Sequence, residues 1–128
     1  MQDYHQLDIW QRAMAYVADL YRFSAKLPDT ERYNLTAQLR KAATSAPLNI
    51  AEGFGCQTNG EFARFLSYAY RSLQEVVTRL ELCQRVYPAL GAQPVDALIG
   101  EGNQISRMTH RLMQRLGAPP GAPAGLNS

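Results

Sequence analysis

Three arginines, Arg107, Arg111 and Arg115, recur every four residues near the end of the chain, with His110 beside them. On a helix this spacing puts them on one face, where like charges repel by about 0.2–0.5 kcal/mol per pair. A position near a helix C-terminus offsets part of that cost, because the macrodipole favours cations there. Residues 102–128 contain no Asp or Glu, so this end of the chain is locally cationic. The stripe is either a solvated helix end or a contact for phosphates, the latter giving salt-dependent, sequence-independent affinity. Arg40 and Lys41 form a second cationic pair, mid-helix by pattern. Here too the choice is a solvated or salt-bridged face, with Arg40 reaching Glu52 or Glu75, or a nucleic-acid contact. Arg12, Arg22, Arg64, Arg71, Arg79 and Arg85 join such a patch only if the fold or a ring of copies gathers them. Arginine dominates lysine in the chain, which suits bidentate contact to phosphate or carboxylate.

The remaining reactive residues do not assemble into a recognisable site. Glu52 falls near a predicted helix C-terminus, where a negative charge is disfavoured, and Asn49 precedes it by one turn on the same face. These groups either satisfy backbone atoms freed by Pro47, bond a neighbouring helix or subunit, or meet a ligand. Catalysis would need a second acid or base, and none is adjacent in sequence. His5 and His110 lack a metal-ligand partner at helical spacing, and Cys56 and Cys83 make neither a disulfide framework nor a zinc cluster. Cys56, His110 and Asn49 could be written as a nucleophile set, but their local context does not support one. Gly53-x-Gly55 follows a helical pattern where a dinucleotide fingerprint would follow a strand. The expectation is no enzyme, no cofactor and no metal.

Composition bounds the rest. A chain of 128 residues with 46% hydrophobic residues is enough for one core. The net charge of +2 and pI of 8.7 are mildly basic, below the pI of about 9 that marks dedicated nucleic-acid binders. The first residues show no signal-peptide pattern, and no apolar run approaches the roughly 20 residues of a membrane span. The expected location is the cytoplasm, with no membrane partner.

Four amphipathic segments position these residues. In residues 7–27, Leu7, Trp10, Met14, Val17 and Tyr21 step by threes and fours and predict the buried stripe of the first helix, widened by Ala13, Leu20 and Leu27. Asp29 or Thr30 is the expected cap of the second helix, over residues 31–54, with Leu35, Leu39, Ala42, Ala46 and Ile50 on its apolar face. Its alanines, Ala42, Ala43, Ala46 and Ala51, permit close approach of another helix. Pro47 inside it removes a backbone hydrogen bond and crowds the Ala43 carbonyl, predicting a kink rather than a break. Gly53 and Gly55 are expected to stop the helix in left-handed conformations.

Thr58-Asn59-Gly60-Glu61 is a capping-box pattern. After it, Phe62, Leu66, Ala69, Leu73, Val76, Leu80, Cys83 and Tyr87 keep the 3.5-residue period of bundle packing. The fourth helix is expected from Pro94, with Val95, Leu98, Gly102, Ile105, Leu112 and Leu116 on one stripe. The predicted fold is all-α: an antiparallel up-down-up-down four-helix bundle over residues 1–116 with short loops, and a flexible, disordered Gly/Pro/Ala tail over 117–128. Apolar and aromatic residues outside these stripes, Phe65, Tyr68, Tyr70 and Val77 on helix three and Ile9, Tyr16 and Phe23 on helix one, are either a wide core face with scattered surface residues or a second buried face. Tyr16, Phe65, Tyr68 and Tyr70 are the candidate oligomer interface.

Three blocks carry a family resemblance: Leu7-Asp8-Ile9-Trp10-Gln11-Arg12-Ala13, the stretch from Gln38 through Pro47, Asn49 and Glu52 to Gly55, and Glu61-Phe62-Ala63-Arg64-Phe65-Leu66-Ser67-Tyr68-Ala69 continuing to Glu75. Together they cover about the first two-thirds of the chain and resemble the bacterial four-helix-bundle proteins encoded in 23S rRNA intervening sequences. The resemblance implies a ring-shaped homopentamer and an accessory role alongside RNA or a ribonucleoprotein, with no catalytic residues. A related branch, accessory proteins of diversity-generating retroelements that act with a reverse transcriptase, implies the alternative of a protein–protein adaptor. This chain departs at Cys56, where the family tends to carry arginine, and at Arg71, where it tends to carry glycine. The first removes a cation, and the second puts a bulky charge where close helix contact is expected.

Overall fold

A computed structural model describes residues 3–117. Four helices, α1 (Asp8–Ser24), α2 (Leu35–Phe54), α3 (Asn59–Val86) and α4 (Ala92–Gly117), are joined by short connections that carry 3-10 turns at Asp29–Glu31 and Pro88–Leu90. Each helix packs on the next, and α4 closes back on α1. Contacts run antiparallel throughout: Arg12 meets Glu101 while Tyr16 meets Leu98, and Gln74 meets Ser106 while Gln84 meets Asp96. The all-helical bundle is as expected, with no strand among the described residues. The predicted tail lies outside the described residues apart from Gly117.

The α3 seam forms the spine. Leu66, Ala69, Leu73, Val76, Leu80 and Cys83 are all fully buried. The interior divides into two clusters. The larger joins Tyr16, Leu20, Phe23, Leu39, Leu73, Leu80 and Ile105 at the pole where α1 ends and α2 begins. The smaller joins Ile9, Ala13, Ile50, Leu66 and Ala69 at the other pole, with Met108, Leu112 and Leu116 packed against it.

Several expectations are corrected. The buried face of α1 is Ile9, Ala13, Tyr16, Leu20 and Phe23; Met14 and Tyr21, on the expected stripe, are 45% and 42% exposed. Two stripes of equal period run side by side on this helix, and the neighbours select the one carrying Leu20 and Phe23. Helix α2 starts at Leu35, not near Glu31, and neither Asp29 nor Thr30 caps it. The Glu31 carboxylate does so, accepting from the Leu35 amide at 3.3 Å. The glycines do not adopt left-handed backbone. Gly53 lies within α2, Gly55 has φ −78°, and among the described residues only Gly91 has positive φ. Gly53 is instead a packing glycine: a Cβ there would stand 2.8 Å from Phe65 Cβ and 2.9 Å from Phe62 Cδ1, so α2 and α3 touch where they diverge from their loop. Helix α2 passes through Pro47 unbroken, and Pro47 is buried. Helix α4 starts two residues before Pro94.

The capping box is present in altered form. The Thr58 hydroxyl accepts from the Glu61 amide at 3.1 Å and donates to the Glu61 carboxylate at 3.0 Å.

Candidate nucleic-acid interface

Helix α4 turns Val95, Gly102, Ile105, Ser106 and Thr109 inward, which fixes what faces water. Arg107, Arg111 and Arg115 lie on the opposite face, all exposed. Arg107 donates to Gln104 Oε1 at 2.8 Å, and among the described residues none of the three pairs with a carboxylate. The neighbouring His110 does not share this stripe. It is half-buried and tilted against Tyr70, with ring centroids 5.6 Å apart. Chemically the α4 face is a row of unneutralised guanidiniums held by a rigid element, suited to phosphate oxygens and to no bond-making step.

Arg40 and Lys41 part company. Lys41 is exposed, whereas Arg40 folds back onto α1. Its Nε donates to Ser24 Oγ at 2.7 Å, one terminal nitrogen donates to the Tyr21 carbonyl at 3.2 Å, and its guanidinium stands 4.6 Å from the Tyr21 ring centroid. It reaches neither Glu52 nor Glu75. Glu52 is exposed, and Glu75 is taken by Arg79 one turn on, at 2.9 Å. Asn49 does not answer Pro47 either. Its Nδ2 donates to the Ser45 carbonyl and to Ser45 Oγ, both at 2.9 Å, whereas the carbonyl that a proline at 47 leaves without its usual donor is that of Ala43. Ser45 in turn receives the Ser72 hydroxyl at 2.8 Å, so Asn49, Ser45 and Ser72 form a polar link from α2 to α3. The Pro47–Gly55 stretch is thus a helix-packing device: Gly53 touches α3 directly, and Asn49 steadies the Ser45 that receives Ser72.

The four aromatic interface candidates also separate. Phe65 and Tyr68 form an edge-to-face pair, centroids 5.6 Å apart, flanked by Arg64 over Phe65 and Arg71 over Tyr68. Tyr70 serves the α3–α4 seam. Tyr16 is corrected outright: it is 1% exposed, its hydroxyl donates to the Leu98 carbonyl at 2.7 Å, and burial pushes its phenol above the usual range. An isologous or ring contact cannot use a side chain already enclosed by its own chain. Arg71 is exposed and stacks on Tyr68, so it does not obstruct a helix contact within the bundle.

Two polar contacts had no sequence signal, because they join residues far apart in the chain. Arg12 grips both oxygens of Glu101, at 2.6 and 3.1 Å, and ties α1 to α4. Tyr87 donates to Glu31, fastening the end of α3 to the turn before α2 and holding the Glu31 carboxyl below its usual range. Cys83 is buried beside them, its thiol pushed up to about 11 by burial and then by the charge of Glu31. Cys56 is half-exposed and donates to the Glu52 carbonyl at 3.5 Å. No group of three or more His, Cys, Asp or Glu that could hold a metal ion occurs among the described residues, and none of their helices is long and apolar enough to cross a membrane.

This geometry defines a class: a closed antiparallel helical bundle whose notable surface is cationic and aromatic. The chain belongs to the 23S rRNA-intervening sequence protein family, whose sequence model matches residues 5–111. Among solved structures it is similar to a protein of unknown function from the S23 ribosomal protein family of Bacteroides thetaiotaomicron VPI-5482. That match has TM-score 0.70 and 18% identity, covering 86% of this chain and 99% of the other. At that identity the likeness speaks for the fold. No curated protein matches the chain.

Proposed function

We propose that the protein is a non-catalytic, self-associating accessory factor that contacts RNA or a ribonucleoprotein in the cytoplasm. The observation that carries this reading is the exposed Arg107/Arg111/Arg115 face of α4, which no carboxylate neutralises among the described residues. Membership of a family described by its 23S rRNA intervening sequences supports RNA as the polyanion. The half-exposed Phe65–Tyr68 pair supports self-association, with aromatic rings as anchors. The family resemblance makes a ring of five its expected form. An adaptor role toward a reverse transcriptase or another nucleic-acid-bound protein would draw on the same aromatic pair.

Filter binding of a structured ribosomal RNA fragment tests the proposal. Three phosphate contacts per chain give a log–log salt slope of roughly −2.1 to −2.7, so affinity should fall about 20- to 40-fold between 50 and 200 mM salt. Arg111→Glu should keep the helical signal and reduce both the affinity and the slope. Retention unaffected by salt or by this substitution would refute the α4 face as the contact.

A further inference from the structure

At the pole opposite Arg111 and Arg115, the end of α1 and the turn before α2 enclose an open cleft of about 430 Å³. Its size falls within the roughly 300–1,000 Å³ of small-ligand sites. Ser24, Asp29, Arg32, Tyr33, Thr36 and Arg40 line it.

Arg40 forms the inner wall. Three contacts fix its orientation: the Ser24 hydroxyl, the Tyr21 carbonyl and the Tyr21 ring. All three are neutral. Among the described residues no carboxylate comes within ion-pair distance, and its second terminal nitrogen has no protein acceptor. A half-buried guanidinium held rigidly with donors to spare is pre-organised for an anion, because the ordering cost is met before the ligand arrives. Arg32 adds a second guanidinium at the mouth, against the single carboxylate of Asp29.

Tyr33 supplies a different chemistry. It is 85% exposed, and Arg32 stands 5.4 Å from its ring centroid. An isolated exposed tyrosine is unremarkable. One set in the wall of a cationic cleft, steadied by an arginine, is a stacking platform. Cations for a phosphate, one of them fixed, beside a free ring for a base are the two parts of sequence-tolerant single-strand binding.

We propose that this cleft binds one unit of a single-stranded nucleic acid, its phosphate on Arg40 and Arg32 and its base stacked on Tyr33. The site uses none of the α4 residues and stands or falls separately from them. The ligand class is a phosphodiester carrying an unpaired base; phosphate alone would meet the arginines and leave the ring unused.

The test uses the full chain and a fluorescein-labelled octauridylate, with anisotropy read at low salt. Tyr33→Ala should weaken binding roughly 5- to 160-fold, the range for loss of one base–aromatic stack, and Tyr33→Phe should restore it. Arg40→Lys, which keeps the charge and loses the fork, should also weaken it. Adenosine monophosphate should shift the amide resonances of residues 24–40 at concentrations where ribose 5-phosphate and inorganic phosphate do not. Binding that falls with Tyr33→Ala but not with Arg111→Glu supports the cleft as the single-strand site, independently of the structured-RNA test of the α4 face. Binding that falls with Arg111→Glu and ignores Tyr33→Ala overturns the cleft and leaves the α4 face standing. Equal shifts by inorganic phosphate and the nucleotide overturn the base-stacking role.

Discussion

Two glycines of α4 make an internally controlled test of how tightly the bundle is packed. Gly100 is exposed, and a Cβ added there would meet nothing within 4 Å. Gly102, two residues on, is buried, and a Cβ there would stand 2.5 Å from Tyr16 Oη and 2.9 Å from Val77 Cγ2. Alanine at either site gains about 0.8–1.0 kcal/mol of helix propensity. At position 102 that gain is opposed by overpacking, about 1–3 kcal/mol. Displacing the Tyr16 hydroxyl from the Leu98 carbonyl costs about 1 kcal/mol more. Gly102→Ala should therefore lose about 1–3 kcal/mol, or roughly 4–12 °C in Tm at this chain length, while Gly100→Ala should gain about 3–4 °C. In a Tyr16→Phe background the nearest obstacle is gone and no hydroxyl bond is left to lose, although Val77 Cγ2 still stands at 2.9 Å, so the penalty of Gly102→Ala should shrink by about 1 kcal/mol without vanishing. Thermal and urea unfolding of the four variants measure this directly. Equal stability of the Gly100→Ala and Gly102→Ala proteins would refute the α1–α3–α4 packing described above.

Leu73→Asp puts an unpaired charge at a fully buried point of the α3 seam, and the cost should exceed the stability of a small bundle. Loss of the cooperative thermal transition is expected, and a normal transition would take that seam out of the core. The Glu31 carboxyl sits below its usual value because Tyr87 donates to it, so its contribution to stability is present above the ordinary carboxylate range and fades as pH falls through its folded value. Tyr87→Phe should make the stability of the protein less steep in acid below about pH 4.5, and parallel acid-unfolding curves for the two proteins would contradict this. Replacing Phe65 and Tyr68 together by alanine should reduce the mass seen by light scattering toward the 14.3 kDa of one chain. A wild-type mass of 14.3 kDa would itself dismiss self-association, and one five times larger would fit the ring.

How much of this was legible in sequence depended on whether one residue could reveal its neighbours. The α3 seam was readable because its apolar residues keep one phase for seven turns, and only one burial satisfies that many constraints. Helix α1 was misread in part: Ala13, Leu20 and Leu27 are buried as expected and Leu7, Trp10 and Val17 pack against the core, but Met14 and Tyr21 face water and Ile9, Tyr16 and Phe23 take the interior. Leu7, Trp10, Met14, Val17 and Tyr21 have as good a period as Ile9, Ala13, Tyr16, Leu20 and Phe23. Large amphipathic rings such as Tyr21 also look like core until a partner such as Arg40 claims them. Gly53 illustrates a second limit: glycine serves both for positive φ and for close approach, and only the position of Phe62 and Phe65 decides between them. Among the candidate site residues, the α4 arginines were legible from spacing because exposure follows from the phase of the helix. Arg40 with Ser24, Arg12 with Glu101 and Tyr87 with Glu31 were not, since no local pattern marks a contact made across the bundle.

The division of the interior into two clusters means that the molecule need not open all at once. The smaller cluster draws on the ends of the helices, where α1 and α3 begin and α2 and α4 finish, and opening there leaves Leu20, Leu39, Leu73 and Leu80 enclosed. Such local units exchange their amide hydrogens ahead of global unfolding. Amides around Ile9, Ile50 and Leu112 should take up deuterium before those around Leu39 and Leu80. The pole carrying Arg111 and Arg115 is then the adaptable end of the protein, and the end carrying Arg40 its stiff one.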